Sequence, residues 1–511
     1  MGEDSPLLIG DEHADSAFAE RLATYRDLRD HIERSILALA TSVDGMSFEF
    51  QTSLHGLAVR PGGYVVLEGA GAARLGQVTD LAAHSLTAAT EGLEGAGAGV
   101  LISLARGHGI VLDGDGQPFH AATVRPARPD EVSAWLERVR PRHARLTIGE
   151  LLLAPGVPLS LDSGGLNRHT FMCGQSGSGK TYALGVLLER VLAETQLRVV
   201  ILDPNSDYVG LGKIRDHASS PLAERYANVA GSVQVWRNDP SSAHPLKLRF
   251  AHLSAQAQAA VLGLEPLRDR EEYAVLTELL RGQDTGEPLA RRVAQLLESE
   301  APEARQLGLR ALNLGVLDWS VWSSELPSLV DELRQPSARC TVVDLGSLDR
   351  PEEKSLVAEA VLSTLWEERH GRQPCLVVID EAHNICPGEP LDELTRLSGQ
   401  TAVQIAAEGR KYGLYLLTCT QSPHKLHENV VAQCDNLLVM RMNSRADLAD
   451  LGRLLSFVPE GLLAGVTSFR MGQALVAGKY CAQPTYVRMG ERVTEEGGAD
   501  IPVTWANPQP S

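Results

Sequence analysis

Between His169 and Asp203 the chain reads HTFMCGQSGSGKTYALGVLLERVLAETQLRVVILD, a glycine-rich turn held between two apolar runs, and no other stretch restricts the fold as much. Gly174, Gly179, Lys180 and Thr181 satisfy the pattern G-x-x-x-x-G-K-[ST]. Glycines at these places let backbone amides come close to a phosphate, and the lysine bridges β and γ oxygens. The expected nucleotide-binding set is therefore Gly174, Gln175, Ser176, Gly177, Ser178, Gly179, Lys180, Thr181 and Tyr182, with the Thr181 hydroxyl a ligand for Mg²⁺. ATP is the implied cofactor. HTFMC has the length and apolar character of a buried strand, and Leu184, Leu187, Leu188, Val191 and Leu192 follow at helical spacing. The loop thus opens a helix whose N-terminus favours anions, and RVVILD reads as the next parallel strand.

A chain of 511 residues with 43% hydrophobic content has the material for two or three packed domains. It contains no run of about 18 apolar residues and no basic-then-apolar start, so it reads as a cytoplasmic protein with no membrane span. Cys173, Cys340, Cys375, Cys386, Cys419, Cys434 and Cys481 lie mostly in apolar runs and lack C-x-x-C spacing, which points to reduced core residues. A net charge of -18 argues against a protein that coats nucleic acid by bulk charge, yet leaves room for a local basic lining inside a ring or cleft.

Residues 1–45 read as an acidic tail and one amphipathic helix, in which Phe18, Leu22, Tyr25, Leu28, Ile32, Ile36 and Leu39 recur every three or four positions. Its apolar face either covers the next domain or docks a partner. From 46 to 130, the short runs GYVVLEG, RLGQVTDL, GVLISLA and HGIVLDGDG alternate with glycine turns, which predicts a small β-barrel. A short helix within PARPDEVSAWLERVRPRHARLTIG leads out of it. There Arg138, Arg140, Arg142 and Arg145 form the densest basic cluster, readable as a solvated face or as a contact with nucleic acid or a neighbour.

Residues 131–250 and 336–490 read as two parts of one α/β core, 251–335 as a Leu/Ala-rich helical insertion between them, and 491–511 as a loose tail rich in Glu, Gly and Pro. In the second part TVVDL, CLVVID, LYLLTCT and NLLVM alternate with helices from Pro351 to about Arg369 and from about Leu391 to Tyr412. FRMGQALVAGKYCAQPTYV adds two short strands. This order predicts an α/β fold with a mainly parallel sheet covered on both faces.

CLVVIDEAH sets Asp380 and Glu381 at the C-terminal end of a strand, where ligands bind in open α/β sheets. In a P-loop enzyme the first acid helps hold Mg²⁺, and the second orients and deprotonates the attacking water. Without the P-loop, the same pair would read as acids favoured at a helix N-terminus. LYLLTCTQSP ends its strand with Thr420 and Gln421, so the Gln421 amide is placed to sense a γ-phosphate. AAEGRKYG ends a helix with Arg410 and Lys411, cations that complement its dipole. The sharper reading makes Arg410 an arginine finger for the adjacent subunit's ATP, because charge spread over a γ-phosphoryl calls for a planar, permanently charged donor.

Taken in order, RHTFMCGQSGSGKT, LDPNSDY, VVIDEAHN, AAEGRKYG and TQSP resemble the HerA branch of the HerA/FtsK superfamily, from about Met46 to Val487. The resemblance implies a homo-hexameric, ATP-driven translocase on double-stranded DNA, with a small N-terminal barrel above a ring of RecA-like P-loop NTPase cores. It also implies a docked nuclease or other effector, NurA-like or sirtuin-like, and work in DNA end processing or antiphage defence. On the same pattern Lys180 and Thr181 contact nucleotide and Mg²⁺, Asp380 and Glu381 are the Walker B pair, and Gln421 is the sensor. Arg168 matches an arginine acting in cis on phosphate, and Arg410 the one acting in trans. The family's D-P-x-G-E-Y departs here: Asn205, Ser206 and Asp207 put Ser for Gly and the shorter Asp for Glu. Lys213 and Arg215, just beyond, are candidates for a DNA-contacting channel loop. Two alternatives stand beside this reading. A conjugation- or secretion-type motor calls for membrane spans or a docking module; a scaffold that binds ATP only to assemble partners would not need Lys180, Asp380, Glu381, Gln421 and Arg410 together.

Overall fold

The computed structural model describes residues 12–54, 58–69, 71–89, 99–140, 142–216, 220–281, 287–323 and 327–498; the first stretch of the expected N-terminal tail and residues 499–511 lie outside them. Two compact units emerge. One holds the described residues up to Val139 with Leu153–Val157 and Pro459–Leu462, and the other holds the rest.

In the first unit, helix α1 (Glu12–Ser35) precedes β1 (Leu39–Ser42), β2 (Ser47–Ser53), β3 (Tyr64–Glu68), β4 (Arg74–Ala89), β5 (Gly99–Asp113) and β6 (Phe119–Pro126). The strands close into a barrel in the order β1-β2-β5-β4-β3-β6. Alternation drives the closure: Phe48 and Phe50 of β2 are buried with Ala40, Val65, Leu67, Val78 and Ala122, while Ser47 and Glu49 face out. Helical spacing assigns Leu39 to the first helix and starts the barrel at 46, but the helix ends at Ser35. Leu39 instead opens β1, pairing with Gln51 and Thr123.

A second difference concerns GVLISLA and HGIVLDGDG, which form one strand, β5, rather than two. Gly107 and Gly109 are not turns; the rings of Phe50 and Phe48 lie over them. Beyond the end of β2, the edge of β5 is covered by α1. Tyr25, Leu28, Ile32 and Ile36 pack on Ile102 and Leu104, and the Tyr25 hydroxyl and Glu33 carboxylate accept from the Leu101 and Ser103 amides at 2.8 and 3.0 Å. Helix α2 (Pro129–Arg138) follows, with Arg138 paired to Asp113.

The second unit runs β7 (Arg145–Leu151), β8 (Pro158–Asp162), β9 (His169–Cys173), α3 (Lys180–Glu194), β10 (Arg198–Asp203), α4 (Pro221–Ala230) and β11 (Val233–Arg237). Helices α5 (Ala255–Val261), α6 (Arg270–Arg281), α7 (Leu289–Glu298), α8 (Pro302–Asn313) and α9 (Leu329–Arg334) come next. Then follow β12 (Cys340–Asp344), α10 (Pro351–Glu367), β13 (Cys375–Ile379), α11 (Glu393–Glu408), β14 (Leu414–Thr420), α12 (Glu428–Val431) and β15 (Cys434–Val439). Helices α13 (Arg445–Leu454) and α14 (Glu460–Gly465) lead to β16 (Gln473–Gly478) and β17 (Thr485–Met489).

The sheet has the order β11-β12-β10-β13-β14-β9-β15-β16-β17-β7-β8. From β11 to β15 all pairs are parallel, and β16, β17, β7 and β8 extend it as an antiparallel edge. Every residue of β9, β12 and β13 is buried, as a parallel sheet covered on both faces requires. The expected α/β fold is the fold the chain adopts. Because β14 lies between β13 and β9, the ends of those strands bring Asp380, Thr420 and Gly174 side by side.

The tail expected from 491 does not begin there. Arg492, Val493 and Thr494 are buried at 0 to 1% exposure, and Thr494 bridges Ile214. A run of Glu and Gly reads as loose, but here it hydrogen-bonds a buried glutamate on α3, described below.

Gly109→Ala should destabilise the barrel by about 1–3 kcal/mol, because the added methyl would lie 2.5 Å from the Gln77 carbonyl oxygen as well as against the Phe48 ring. Chemical denaturation of the variant beside the unaltered protein measures it.

Candidate nucleotide site

The loop after β9 returns toward α3 through Gly177 and Gly179, at φ 70° and 92°, a left-handed backbone that other residues adopt only with strain. The Gly174 and Gln175 amides are spent on the Thr420 and Arg441 carbonyls, at 3.4 and 3.0 Å. Those of Ser176, Gly177 and Gly179 make no hydrogen bond among the described residues, which leaves them to face an anion at the helix N-terminus.

Lys180 is only 6% exposed, and its Nζ donates to Asp380 Oδ1 at 2.8 Å and Glu381 Oε1 at 2.9 Å. Asp380 continues the line of β13. Glu381 has φ 41° and ψ 48°, a left-handed turn unusual for a glutamate. Gln421 fixes the second acid further: its Nε2 donates to Glu381 Oε1 at 2.7 Å, and its backbone amide to Oε2 at 3.4 Å. On the other flank Thr181 Oγ1 lies 3.5 Å from Asp207 Oδ2. The shorter side chain that replaces the usual Glu therefore still reaches the P-loop threonine.

Burial works against the charge on Lys180, but the carboxylates of Asp380 and Glu381 outweigh it and hold the ammonium above its usual pKa. Burial likewise opposes ionisation of Glu381, yet Lys180, the Gln421 amide and His383 together keep that carboxyl below its usual range. Asp203, fully buried at the end of β10, is pushed up to about 7 by burial, although it accepts from the Asp207 and Tyr208 amides at 3.0 and 2.8 Å. Asp207 is pushed up to about 6 by burial and the nearby Asp380.

This donor set fits a nucleoside triphosphate with Mg²⁺. Asp380 Oδ2 and Ser178 Oγ are buried with no hydrogen-bond partner among the described residues, Thr181 follows Ser178 in the first turn of α3, and Lys180 supplies the cation. No group of three or more His, Cys, Asp or Glu side chains among the described residues could hold a metal alone.

The structure brings together Lys180, Thr181, Asp380, Glu381 and Gln421, and separates the arginines from them. Arg168 precedes β9 while the P-loop follows it, and five strand residues span about 17 Å. Adjacency in sequence thus places Arg168, expected to act in cis on phosphate, at the opposite end of the strand from this chain's P-loop. Arg168 instead joins Arg410 on Asp435, whose Oδ2 lies 2.7 Å from Arg410 Nη1 and 3.6 Å from Arg168 Nε. Both arginines are partly exposed at the sheet edge opposite the P-loop.

Other expectations are altered as well. The Tyr182 hydroxyl accepts from the Arg492 amide at 2.8 Å, so its side chain is bound to the C-terminal segment and not left for nucleotide. Arg215 is paired to Glu496 at 2.6 Å, and Lys213 beside it is exposed. Sequence reasoning missed His383, whose Nδ1 lies 3.0 Å from Thr420 Oγ1 and 3.4 Å from Glu381 Oε2. Its signal was the last letter of DEAH. His383 also lines a groove of about 1070 Å³ with Pro204, Asn205, Lys354, Asp392 and Lys425.

A glycine-rich loop feeding a helix, an acid pair closing on its lysine and a glutamine from the intervening strand define a P-loop ATPase. Residues 146–365 match the family described as "Helicase HerA, central domain". The DNA double-strand break repair helicase HerA of Pyrococcus furiosus is 26% identical over 400 residues, covering 67% of this chain and 69% of that protein. That of Sulfolobus acidocaldarius is 22% identical over 402 residues, 76% of each. Among solved structures, the bacterial conjugative coupling protein TrwB superposes with a TM-score of 0.47 at 15% identity, over 72% of this chain and 92% of that one, a likeness too loose to bear on function. Over residues 146–365 the chain is thus similar to the HerA-type helicase ATPases.

At the opposite edge, His169 is fully buried, and its Nδ1 accepts from the Leu416 amide at 2.9 Å, which requires the neutral ring. Burial, and then Arg410, push its pKa down to about 4. A histidine so depressed adds stability that is complete above the unfolded value near 6.5 and is lost as pH falls through the folded one. Unfolding free energy should therefore drop by roughly 3 kcal/mol between pH 6.5 and 4 on this account. His169→Leu should flatten that window, which denaturation at several pH values would read.

Proposed function

We propose that this chain is the motor of a homo-hexameric, ATP-driven double-stranded DNA translocase that works with a nuclease or other effector in DNA end processing or antiphage defence. One observation carries the reading. The P-loop, Asp380, Glu381 and Gln421 sit at the C-terminal ends of the strands, whereas Arg410 sits at their N-terminal ends. Within one chain these halves cannot meet on one phosphate. A second copy, presenting its Arg410 to the first copy's P-loop, completes the set.

In that arrangement the free amides of the loop and Lys180 bind the β and γ phosphates, and Thr181 with Asp380 would hold Mg²⁺. The metal would supply charge neutralisation on the phosphate oxygens. Glu381 accepts the proton of the attacking water, from a position set by Gln421 and His383. Arg410, released from Asp435, stabilises the charge spread over the transferred group. DNA is held by phosphate contacts without base readout, as a motor that moves over any sequence requires. The relatives named above as repair helicases support a DNA substrate.

Arg410→Ala should lower turnover by about 10³-fold or more while nucleotide still binds. Glu381→Gln should do the same, which a scaffold with no turnover would not show. Mixing the two inactive variants should restore part of the activity, because some seams then pair an intact acid site with an intact arginine. Mixtures as inactive as their components would exclude the trans assignment.

A further inference from the structure

We propose that residues 491–498 are a working part of the nucleotide site, and that Arg492 is a positioning residue for the Thr181–Asp207 pair. The inference rests on the ATPase reading above and extends it to a segment whose composition suggests a tail.

The segment is bonded to both elements that carry that pair. On the P-loop helix, Glu189 is fully buried and accepts from the Thr494 amide at 2.8 Å, the Thr494 hydroxyl at 2.7 Å and the Val493 amide at 3.0 Å. Arg492 is also fully buried. Its Nη1 reaches the Thr181 carbonyl at 3.5 Å, its Nε the Thr494 hydroxyl at 3.3 Å and its Nη2 the Glu495 carbonyl at 3.2 Å. The guanidinium stands 6.0 Å from the ring centre of Tyr208. On the loop after β10, the Gly497 amide donates to the Asp207 carbonyl at 3.1 Å, and the Glu495 amide to the Lys213 carbonyl at 2.9 Å. A Cβ at Gly497 would overlap the Ser206 carbonyl oxygen, so the approach is as close as backbone allows.

The consequence is geometric. Thr181 Oγ1 and Asp207 Oδ2 stand 3.5 Å apart on two different elements, and the segment grips the backbone of each at that residue. Glu189 anchors the grip from within the helix. Glu189 and Glu496 each stand 3.9 Å from the guanidinium, whose donors go to carbonyls and a hydroxyl. Loosening the segment lets the two side chains separate, which weakens the Mg²⁺ side of the site and leaves the phosphate-binding amides in place.

The test uses the full chain with Arg492→Ala, Arg492→Lys and Gly497→Ala. A fluorescent ATP analogue is titrated with and without Mg²⁺, and amide hydrogen exchange is followed over 174–182 and 203–209. Removing a partner one step from a metal typically costs about 10- to 100-fold in metal affinity. Arg492→Ala and Gly497→Ala should therefore raise half-saturating Mg²⁺ about tenfold, leave Mg²⁺-free binding nearly unchanged and speed exchange in both stretches. Arg492→Lys should recover part of the loss. Should Arg492→Ala not fold, Gly497→Ala, which keeps the arginine, carries the same test. Unchanged Mg²⁺ curves in folded variants, or equal losses with and without the metal, would overturn the proposal. Turnover retained by Glu381→Gln would sink only the hydrolysis reading, since the Mg²⁺ curve measures binding.

Discussion

The ammonium of Lys180, buried between Asp380 and Glu381, is the interaction on which the site depends. A lone charge at that depth would be very costly, and so would either acid alone; the three are tolerable because each is paired within 2.9 Å. Much of the surrounding geometry serves that pairing. Glu381 adopts a left-handed backbone, Gln421 grips its carboxylate twice, and His383 leans on it from the groove side. Strain at such a residue persists only where its neighbours over-determine it, and here Lys180, Gln421 and His383 do so.

Around that centre the sheet acts as a divider. Its parallel strands all deliver their C-terminal ends to the phosphate side, so loops that follow strands become the acid and P-loop half. Whatever precedes or opens a strand goes to the other side, and Arg168, Arg410 and Asp435, the second residue of β15, are gathered there. Asp435 serves both cations, so each arginine is held in check by one shared carboxylate.

This division also explains what the sequence could and could not reveal. Residues that follow apolar strands, such as Asp380 after CLVVI and Gln421 after LYLLTCT, announce their edge by position, and the structure sets them beside Lys180. Arg168 precedes its strand by one residue, and proximity in the chain concealed about 17 Å of separation. Gly107 and Gly109 read as turn formers because glycine is ambiguous between a bend and a seat for an aromatic ring; only the Phe48 and Phe50 rings decide. The VTEEGG run after Arg492 has the composition of a solvated end. Its partner, Glu189, lies about three hundred residues earlier, a separation that no local pattern can report. Glu496, paired with Arg215, lies nearly as far from it in sequence.

The antiparallel edge carries one more implication. β17, at Thr485–Met489, pairs with β7, at Arg145–Leu151, so the strand beside the P-loop helix waits for one made more than three hundred residues later. Contacts of such long span form late, after the entropy of closing the loop has been met. A nascent copy on the ribosome thus holds an unfinished sheet until Met489 has been made, exposed to misassembly with its neighbours on the same messenger.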